Sequence, residues 1–352
     1  MERNLARMRS QLVRLGVQAR PHVKTCKSVA IARAMLGPGP AAVTVSTLAE
    51  AEQCFAAGIG DVLYAVGIAP GKLAQVEGLR SRGCDLTVIV DTEAAATAVA
   101  ARGTGIPALI EIDSDDHRAG VPPQDDALLR IAKALRGGLR GVMTHAGASY
   151  ECRDARAITA MAERERAAVV TAATRLRAAG FAAPIVSVGS TPTALFAERL
   201  DGVTEVRAGV YVFMDLVMVG LGVCTLDDVA LSVAVTVIGH QRQKHWLLTD
   251  GGWMALSRDR GTAAQPVDRG YGLVGDERGQ PLDELIVTGT NQEHGIVARA
   301  DGAPFDLDRF PVGTVLRVLP NHACATAAQH DRYHVVRGDD VVTSTLPRFG
   351  GW

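Results

Sequence analysis

The stretch Arg20-Pro21-His22-Val23-Lys24-Thr25 belongs to the first of eight short extended segments that alternate with helices over about 210 residues. Apolar residues at helical spacing between Met1 and Leu15 predict a helix before it, which ends at Gly16. Lys24 therefore projects from the end of a strand. In a partly apolar pocket such an amine loses its proton easily and serves as a nucleophile or a base. A surface lysine at a strand end is the alternative interpretation.

The other seven predicted strands are short apolar runs, each reached through a helix. The eight strands cover residues 17–25, 42–45, 61–66, 85–90, 108–112, 139–144, 184–188 and 203–207. This alternation and length predict an α/β fold with a (β/α)8 barrel. An open doubly wound sheet is the alternative, but no Gly-x-Gly-x-x-Gly sequence follows the first strand to support it.

The pattern changes after Met214. A long β-branched stretch covers residues 229–238, and short strands separated by turn residues are predicted at 246–249, 284–288, 315–319 and 333–336. No convincing helix lies between them, so we predict a mostly β C-terminal domain. We therefore expect the barrel to occupy residues 1–218 and the β domain to occupy residues 219–352.

Composition and charge limit the class of partner. The chain has 37 Lys and Arg against 38 Asp and Glu, and no basic tract interleaved with aromatic residues, which excludes nucleic acid as the expected partner. No apolar run reaches membrane-spanning length, so no membrane partner is expected. The start of the chain lacks the apolar core of a signal peptide, and the six cysteines are scattered. These features predict a reduced, cytoplasmic protein.

The ends of the last two barrel strands carry residues suited to binding an anion. Gly189-Ser190-Thr191 opens a predicted helix, where free backbone N–H groups and hydroxyls bind phosphate. Gly209, two residues before Tyr211, leaves room for close approach of a ligand. Capping of the helix by Ser190 or Thr191 is the alternative.

Barrel active sites lie at the carboxyl ends of the strands, so this phosphate site and Lys24 share one opening. A phosphate site together with a strand-end lysine predicts pyridoxal phosphate, with Lys24 as its Schiff-base residue. Arg118 follows the fifth strand and Tyr150 follows the sixth. Either side chain is a candidate to orient the cofactor ring, or else an ordinary residue at the rim.

A second candidate site is the segment Pro320-Asn321-His322-Ala323-Cys324-Ala325-Thr326 in the β domain. If it is extended, His322 and Cys324 are two residues apart and share one face. Imidazole and thiolate form a soft pair suited to zinc. Two protein ligands leave positions open for water or substrate. Simple packing of a His-x-Cys pair is the alternative.

These motifs, taken as a set, resemble the D-serine dehydratase/D-threonine aldolase family of alanine-racemase-like pyridoxal phosphate enzymes. The similar blocks are residues 20–25, 189–193, 207–215, 291–295 and 320–324. Three further blocks, at residues 111–118, 144–147 and 200–206, most resemble the members that dehydrate D-threo-3-hydroxyaspartate. The resemblance runs over nearly the whole chain. It implies fold type III of the pyridoxal phosphate enzymes, a barrel followed by a β domain.

The resemblance also implies roles for individual residues. It implies that Lys24 holds pyridoxal phosphate and that His322 and Cys324 bind a divalent metal, with zinc expected first and manganese or cobalt as alternatives. Aldolases of the family more often carry aspartate at the second ligand position, so Cys324 favours a dehydratase. The chain departs from the family at Cys26, where many members have histidine. Many members also have a further segment upstream that this chain lacks. We therefore expect Met1 to be an internal or misassigned start.

The implied activity is that of a carbon–oxygen lyase. It dehydrates a D-β-hydroxy amino acid, D-threo-3-hydroxyaspartate or D-serine, to a 2-oxo acid and ammonia, and a homodimer is implied. Retro-aldol cleavage to glycine and an aldehyde is the main alternative. A pyridoxal phosphate carrier without turnover is a second, although carriers lack the β domain and the His-x-Cys pair. A racemase is a third, but it needs a second base that no residue of the sequence identifies.

Overall fold

The structure, a computed structural model, describes residues 1–337 and 341–351. They form two compact units. The first contains Leu5–Tyr211 together with the described residues that follow Arg348, and the second contains Met1–Asn4 and Val212–Arg348. The domain boundary near residue 218 stays a prediction.

Eight parallel strands form the sheet of the first unit, as the sequence predicts. They are β1 (Gln18–Ala19), β2 (Ala42–Val45), β3 (Asp61–Gly67), β4 (Asp85–Val90), β5 (Ala108–Ile112), β6 (Leu139–Thr144), β7 (Ile185–Val188) and β8 (Glu205–Val206). Their order in the sheet is β1-β8-β7-β6-β5-β4-β3-β2. Most strand residues are buried, which is typical of parallel strands covered on both faces and explains their apolar sequences.

Helices connect these strands. They are α1 (Glu2–Leu15), α2 (Val29–Leu36), α3 (Leu48–Ala56), α4 (Leu73–Ser81), α5 (Glu93–Ala101), α6 (Ala127–Ala134), α7 (Ala155–Ala178) and α8 (Thr191–Phe196). The (β/α)8 prediction is confirmed.

The two edges of the sheet meet just after β1, in the stretch that carries Lys24. His22 forms a parallel bridge with Thr44 of β2. The N–H of Val23 donates to the carbonyl of Thr44, and the N–H of Thr44 donates to the carbonyl of Pro21, both at 2.9 Å. These bonds close the eight strands into a barrel.

Arg20 links three strands close to this seam, the place where the two edges of the sheet meet. Its guanidinium donates to Glu205 of β8 at 2.8 Å and to Asp61 of β3 at 2.7 Å and 3.1 Å. Burial alone would lower the pKa of Arg20, but the hydrogen bonds and charges of the two carboxylates outweigh it and raise the pKa. Arg20 and Glu205 are both buried, so this pair is sensitive to loss of either partner.

The second unit contains a closed six-stranded antiparallel barrel in the order β10-β13-β12-β11-β14-β9. Its strands are β9 (Val233–Gln241), β10 (Trp246–Thr249), β11 (Leu273–Gly275), β12 (Pro281–Thr290), β13 (Gly295–Arg299) and β14 (Val315–Leu319). Buried valines and leucines from all six strands form its core. A hairpin of β15 (Arg332–Val336) and β16 (Val342–Pro347) follows. The mostly β character is confirmed.

Short helices interrupt this unit, so the expectation of no intervening helix was wrong. They are α9 (Leu216–Gly220), α10 (Trp253–Leu256) and α11 (Ala323–Ala327). Helices of four or five residues have too little periodicity to be recognised in a sequence. Among the residues described, no helix has both the length and the apolar character needed to cross a membrane.

We expect Arg20→Met to lower the free energy of unfolding by about 3–5 kcal/mol, because it leaves the buried carboxylate of Glu205 without its cation. Urea denaturation followed by circular dichroism measures this change. The control is Arg82→Met, because the side chains of Arg82 and its partner Glu52 are both largely exposed, and such pairs contribute little. Equal shifts of the unfolding midpoint in the two variants would contradict the prediction.

Candidate active site

Lys24 lies in the turn that follows the closing bridge, at the carboxyl end of the first strand. Its side chain is exposed, while Val23 and Thr25 on either side are fully buried. The buried neighbours fix the backbone of this turn and leave the amine accessible. The structure therefore shows an accessible amine at the carboxyl end of the barrel.

Several nitrogen-bearing side chains gather around Lys24. Burial lowers the pKa of His22 well below its ordinary value, and the charges of Lys24 and Arg207 lower it further. Burial also lowers the pKa of His145, to about 3, and the charge of Lys24 contributes again. Both imidazoles are therefore neutral at pH 7. The positive charges of Lys24 and Arg207 remain, and they make this end of the barrel attractive to an anionic ligand.

The segments that follow β7 and β8 contact each other, as expected if both contribute to one anion-binding site. The N–H of Tyr211 donates to the Thr191 hydroxyl at 3.1 Å. The Ser190 hydroxyl accepts from the N–H of Thr193 at 3.2 Å and contacts the Ser149 hydroxyl at 2.9 Å. Ser190 thus caps the six-residue helix α8, and its hydroxyl also belongs to a buried polar network.

Two glycines are required where these segments approach their neighbours. A Cβ atom at position 209 would lie 2.6 Å from the carbonyl oxygen of His22. A Cβ atom at position 189 would lie 2.8 Å from the backbone nitrogen of Arg207. Gly209 therefore allows the segment after β8 to pack against the stretch that carries Lys24.

Arg118 and Tyr150 lie on exposed parts of the same unit. The Arg118 guanidinium is 3.9 Å from the Glu111 carboxylate, and its side chain is 64% exposed. The Tyr150 ring is 6.5 Å from the ring of His145 and is also exposed. The buried phenol of Tyr211, whose pKa is raised by that burial, is less accessible to a ligand than either.

His322 and Cys324 come together, but not on the extended strand that we expected. His322 is extended (φ −134°, ψ 106°) and precedes α11, whereas Cys324 is the second residue of that helix. Burial alone would lower the pKa of His322, but hydrogen bonds to Asp259 and Cys324 outweigh it and raise the pKa to about 11. The imidazole and the thiol therefore lie within hydrogen-bonding reach of one another.

Asp259 orients the imidazole of His322. The Nδ1 atom of His322 lies 2.9 Å from a carboxylate oxygen of Asp259. The hydrogen bond with His322 holds the pKa of Asp259 below its ordinary value. A carboxylate on one ring nitrogen leaves the other nitrogen to bind a metal, which is the usual arrangement around metal-bound histidine.

The backbone on either side of His322 is also anchored. The buried Asp215 carboxylate accepts the N–H of Ala323 at 2.9 Å and that of Met218 at 3.0 Å, and burial raises the pKa of Asp215 to about 6. The amide of Asn321 donates to the carbonyls of Asp259 and Gly270 at 3.2 Å and 2.6 Å.

The donor chemistry fits the cofactors that the sequence implies. An exposed amine, nearby cations, hydroxyls and glycines suit an anionic cofactor with a reactive carbonyl group. An imidazole with an oriented ring and a thiol suit a soft divalent metal. Among the described residues, no group of three or more His, Cys, Asp or Glu side chains is arranged to hold a metal.

The sequence analysis did not identify three residues that support the candidate sites. Arg207 is buried and donates to the Ser187 hydroxyl at 2.6 Å and to the carbonyl of Thr144. Glu165 is buried in the middle of α7, and Asp259 lies 63 positions before His322. The one sequence signal is the position of Arg207 at the end of the predicted strand 203–207, because a charged residue that closes a buried strand needs partners.

Comparison with known proteins identifies two families along the chain. Residues 1–217 match the alanine racemase, N-terminal domain, and residues 230–336 match the putative serine dehydratase domain. The chain is 57% identical over 363 residues to D-threo-3-hydroxyaspartate dehydratase of Delftia sp. (strain HT23), covering 100% of this chain and 95% of that enzyme. The solved structure of that enzyme superimposes with a TM-score of 0.97. A similar solved structure is a mutant of that enzyme in the metal-free form.

More distant relatives include enzymes of both reaction types. D-serine dehydratase of Dictyostelium discoideum is 27% identical over 99% of this chain and 94% of its own length. D-threonine aldolase of Arthrobacter sp. is 30% identical over 97% of this chain and 87% of its own length. The family resemblance seen in the sequence is confirmed.

We expect Asp259→Ala to weaken binding of Zn²⁺ or Mn²⁺ about 10- to 100-fold, because the His322 ring loses the acceptor that orients it. Titration of the metal-depleted protein by calorimetry measures the affinity. Asp308→Asn is the control, since Asp308 pairs with Arg242 at the surface of the same unit. Unchanged metal affinity in Asp259→Ala, with an unchanged melting temperature, would show that Asp259 does not support the metal site.

Proposed function

Because this chain belongs to the family that joins an alanine racemase N-terminal domain to a serine dehydratase domain, we propose that it is a metal- and pyridoxal phosphate-dependent lyase. Its proposed substrate is a D-β-hydroxy amino acid, and its products are a 2-oxo acid and ammonia. The observation that carries the proposal is the His322–Cys324 pair with its supporting carboxylate, in a chain 57% identical to D-threo-3-hydroxyaspartate dehydratase.

Residues of the first unit are proposed to hold the cofactor. Lys24 would hold its carbonyl carbon, while Ser190, Thr191 and Gly209 would hold its phosphate, supported by the contact between the segments after β7 and β8. Arg118, Tyr150 and Tyr211 stay candidates for contacts to the ring. When bound, pyridoxal phosphate supplies an electron sink that stabilises negative charge at the substrate Cα.

His322 and Cys324 are proposed to hold the divalent metal. Its supporting observations are the soft donor pair and the orientation of the His322 ring by Asp259. When bound, such a metal supplies a Lewis acid that makes the substrate β-hydroxyl a better leaving group. We propose zinc because imidazole and thiolate suit it best, with manganese and cobalt as alternatives.

The chain's own residues then supply binding and proton transfer. The Lys24 amine is proposed to take the proton from the substrate Cα, and its exposure at the barrel end leaves it accessible for this step. The neutral imidazoles of His22 and His145 flank it without competing for the proton, because burial keeps their pKa values low. Loss of water and hydrolysis complete the conversion to the 2-oxo acid.

We propose D-threo-3-hydroxyaspartate ahead of D-serine as the substrate. The similarity to the Delftia enzyme extends over the whole chain, whereas the D-serine dehydratase of Dictyostelium is 27% identical. The second carboxylate also suits the cationic surroundings of Lys24, with Arg118 as the candidate to bind it, since His145 is neutral and its Nδ1 faces the carbonyl of Gly189. A homodimer in the cytoplasm is expected from the resemblance.

Retro-aldol cleavage is the second candidate function. The Arthrobacter D-threonine aldolase is 30% identical over nearly the whole chain, so one site architecture serves both bond cleavages in this family. In an aldolase the β-hydroxyl loses its proton and the bond between Cα and Cβ breaks. The products are then glycine and an aldehyde.

A substrate panel tests the two functions. We expect keto acid and ammonia from D-threo-3-hydroxyaspartate, a smaller yield from D-serine, and no aldehyde from D-threonine. Chelator should remove the activity and added metal should restore it. Keto acid is measured by reduction with a coupled dehydrogenase, and aldehyde by derivatisation. Glycine and aldehyde as the main products would establish the aldolase instead.

We expect Lys24→Ala to lower kcat by at least about 1,000-fold, because it removes both the residue that holds the cofactor and the proposed base. Lys24→Arg is the matched variant, since it keeps a cation but forms no Schiff base. Steady-state kinetics with D-threo-3-hydroxyaspartate measure the loss, and circular dichroism checks the fold. Abundant activity in Lys24→Ala without added amine would rule out this role.

A further inference from the structure

Glu165 is a buried carboxylate for which the proposed chemistry has no use. It lies on α7 and is only 2% exposed. One of its carboxylate oxygens accepts two backbone N–H groups, from Ala146 at 3.1 Å and from Gly189 at 3.0 Å. These donors belong to two different segments, one after β6 and the other after β7.

The same two segments touch elsewhere. The Nδ1 atom of His145 lies 2.5 Å from the carbonyl oxygen of Gly189, and the Ser149 hydroxyl lies 2.9 Å from that of Ser190. Residues 145–149 and 189–191, the β6 and β7 segments, are thus joined by three polar contacts. The third contact runs through Glu165, which belongs to neither segment and accepts an N–H group from each.

Burial of this carboxylate is costly, and the two N–H donors offset the cost. Burial raises the pKa of Glu165, whereas hydrogen bonds from Thr193, Gly189 and Ala146 act in the opposite direction. Without Glu165, the two buried N–H groups would lose their acceptor. Glu165 and the two segments therefore depend on each other.

We propose that Glu165 is a positioning residue that holds the β6 and β7 segments in the arrangement that binds the cofactor phosphate. The inference rests on the proposed function in one respect, the identity of the ligand. Glu165 touches neither cofactor nor substrate in this role. It acts through the backbone of Gly189 and Ala146, next to Ser190 and His145.

Cofactor affinity is the first measurement. Pyridoxal phosphate is titrated into the apo protein and followed by its absorbance. We expect Glu165→Met, which keeps the length of the side chain but has no carboxylate, to bind on the order of 30-fold more weakly. Glu165→Gln keeps an acceptor oxygen, so it should stay within about threefold of the wild type.

A control separates positioning from general destabilisation. Val169 is fully buried one turn further along α7, and Val169→Ala weakens the packing of the same helix without removing a hydrogen-bonding group. Its affinity for pyridoxal phosphate should be unchanged. Equal losses in Val169→Ala and Glu165→Met, or in Glu165→Gln and Glu165→Met, would overturn the inference.

A second variant serves if Glu165→Met fails to fold. Ala146 has φ −74°, which proline adopts, so Ala146→Pro removes one N–H donor, and its ring displaces the Glu165 carboxylate that now lies 3.1 Å from that nitrogen. It should weaken cofactor binding in the same direction. Unchanged affinity in a folded Ala146→Pro protein would count against the inference.

Hydrogen exchange in the apo protein provides a readout that needs neither cofactor nor activity. We expect the amides of Ala146 and Gly189 to exchange at least about tenfold faster in Glu165→Met than in the wild type, and no faster in Val169→Ala. Unchanged exchange would overturn the inference. If wild-type protein binds no pyridoxal phosphate, the proposed function fails, while the exchange rates still decide whether Glu165 holds the two segments.

Discussion

Closure of the parallel sheet is the constraint on which the rest of the first unit depends. It rests on few bonds, because β1 is only two residues long and the seam is completed by the His22–Thr44 bridge. Pro21 has no N–H group, so only its carbonyl takes part, and Arg20 adds charged bonds to two other strands. Lys24 follows the bridge by two residues. The position of the Lys24 amine is therefore set by the same bonds that close the barrel.

Both units use a buried carboxylate to fix irregular backbone beside a functional side chain. Asp215 accepts the N–H of Ala323, between the two proposed metal ligands, and Glu165 accepts those of Ala146 and Gly189. Turns and short helices leave N–H groups without a regular partner. A carboxylate from a distant part of the chain satisfies them with strong, directional bonds. In each unit this places a rigid support behind residues that we propose to bind a ligand.

The architecture was predictable because parallel strands buried on both faces appear as short apolar runs, and eight such runs alternate with helices. The candidate residues on strand ends were predictable for the same reason. The helical position of Cys324 was not, since α11 begins where Asp215, 108 residues earlier, takes up the N–H of Ala323. The pairing of Asp259 with His322 was not predictable from the sequence either. Such pairings depend on which distant segments meet, and no local pattern records that.

Positions at this end of the barrel differ in how strongly the structure restricts substitution, and position 209 is among the most restricted. A side chain there would collide with the carbonyl of His22, so substitutions at this position are excluded by the backbone itself. Arg118 and Tyr150 have exposed side chains, so packing of the barrel does not restrict which residue stands at either position. Libraries that aim at new substrates should vary these exposed positions and leave the glycines intact. The same division offers a physical reason why enzymes with different products share one scaffold.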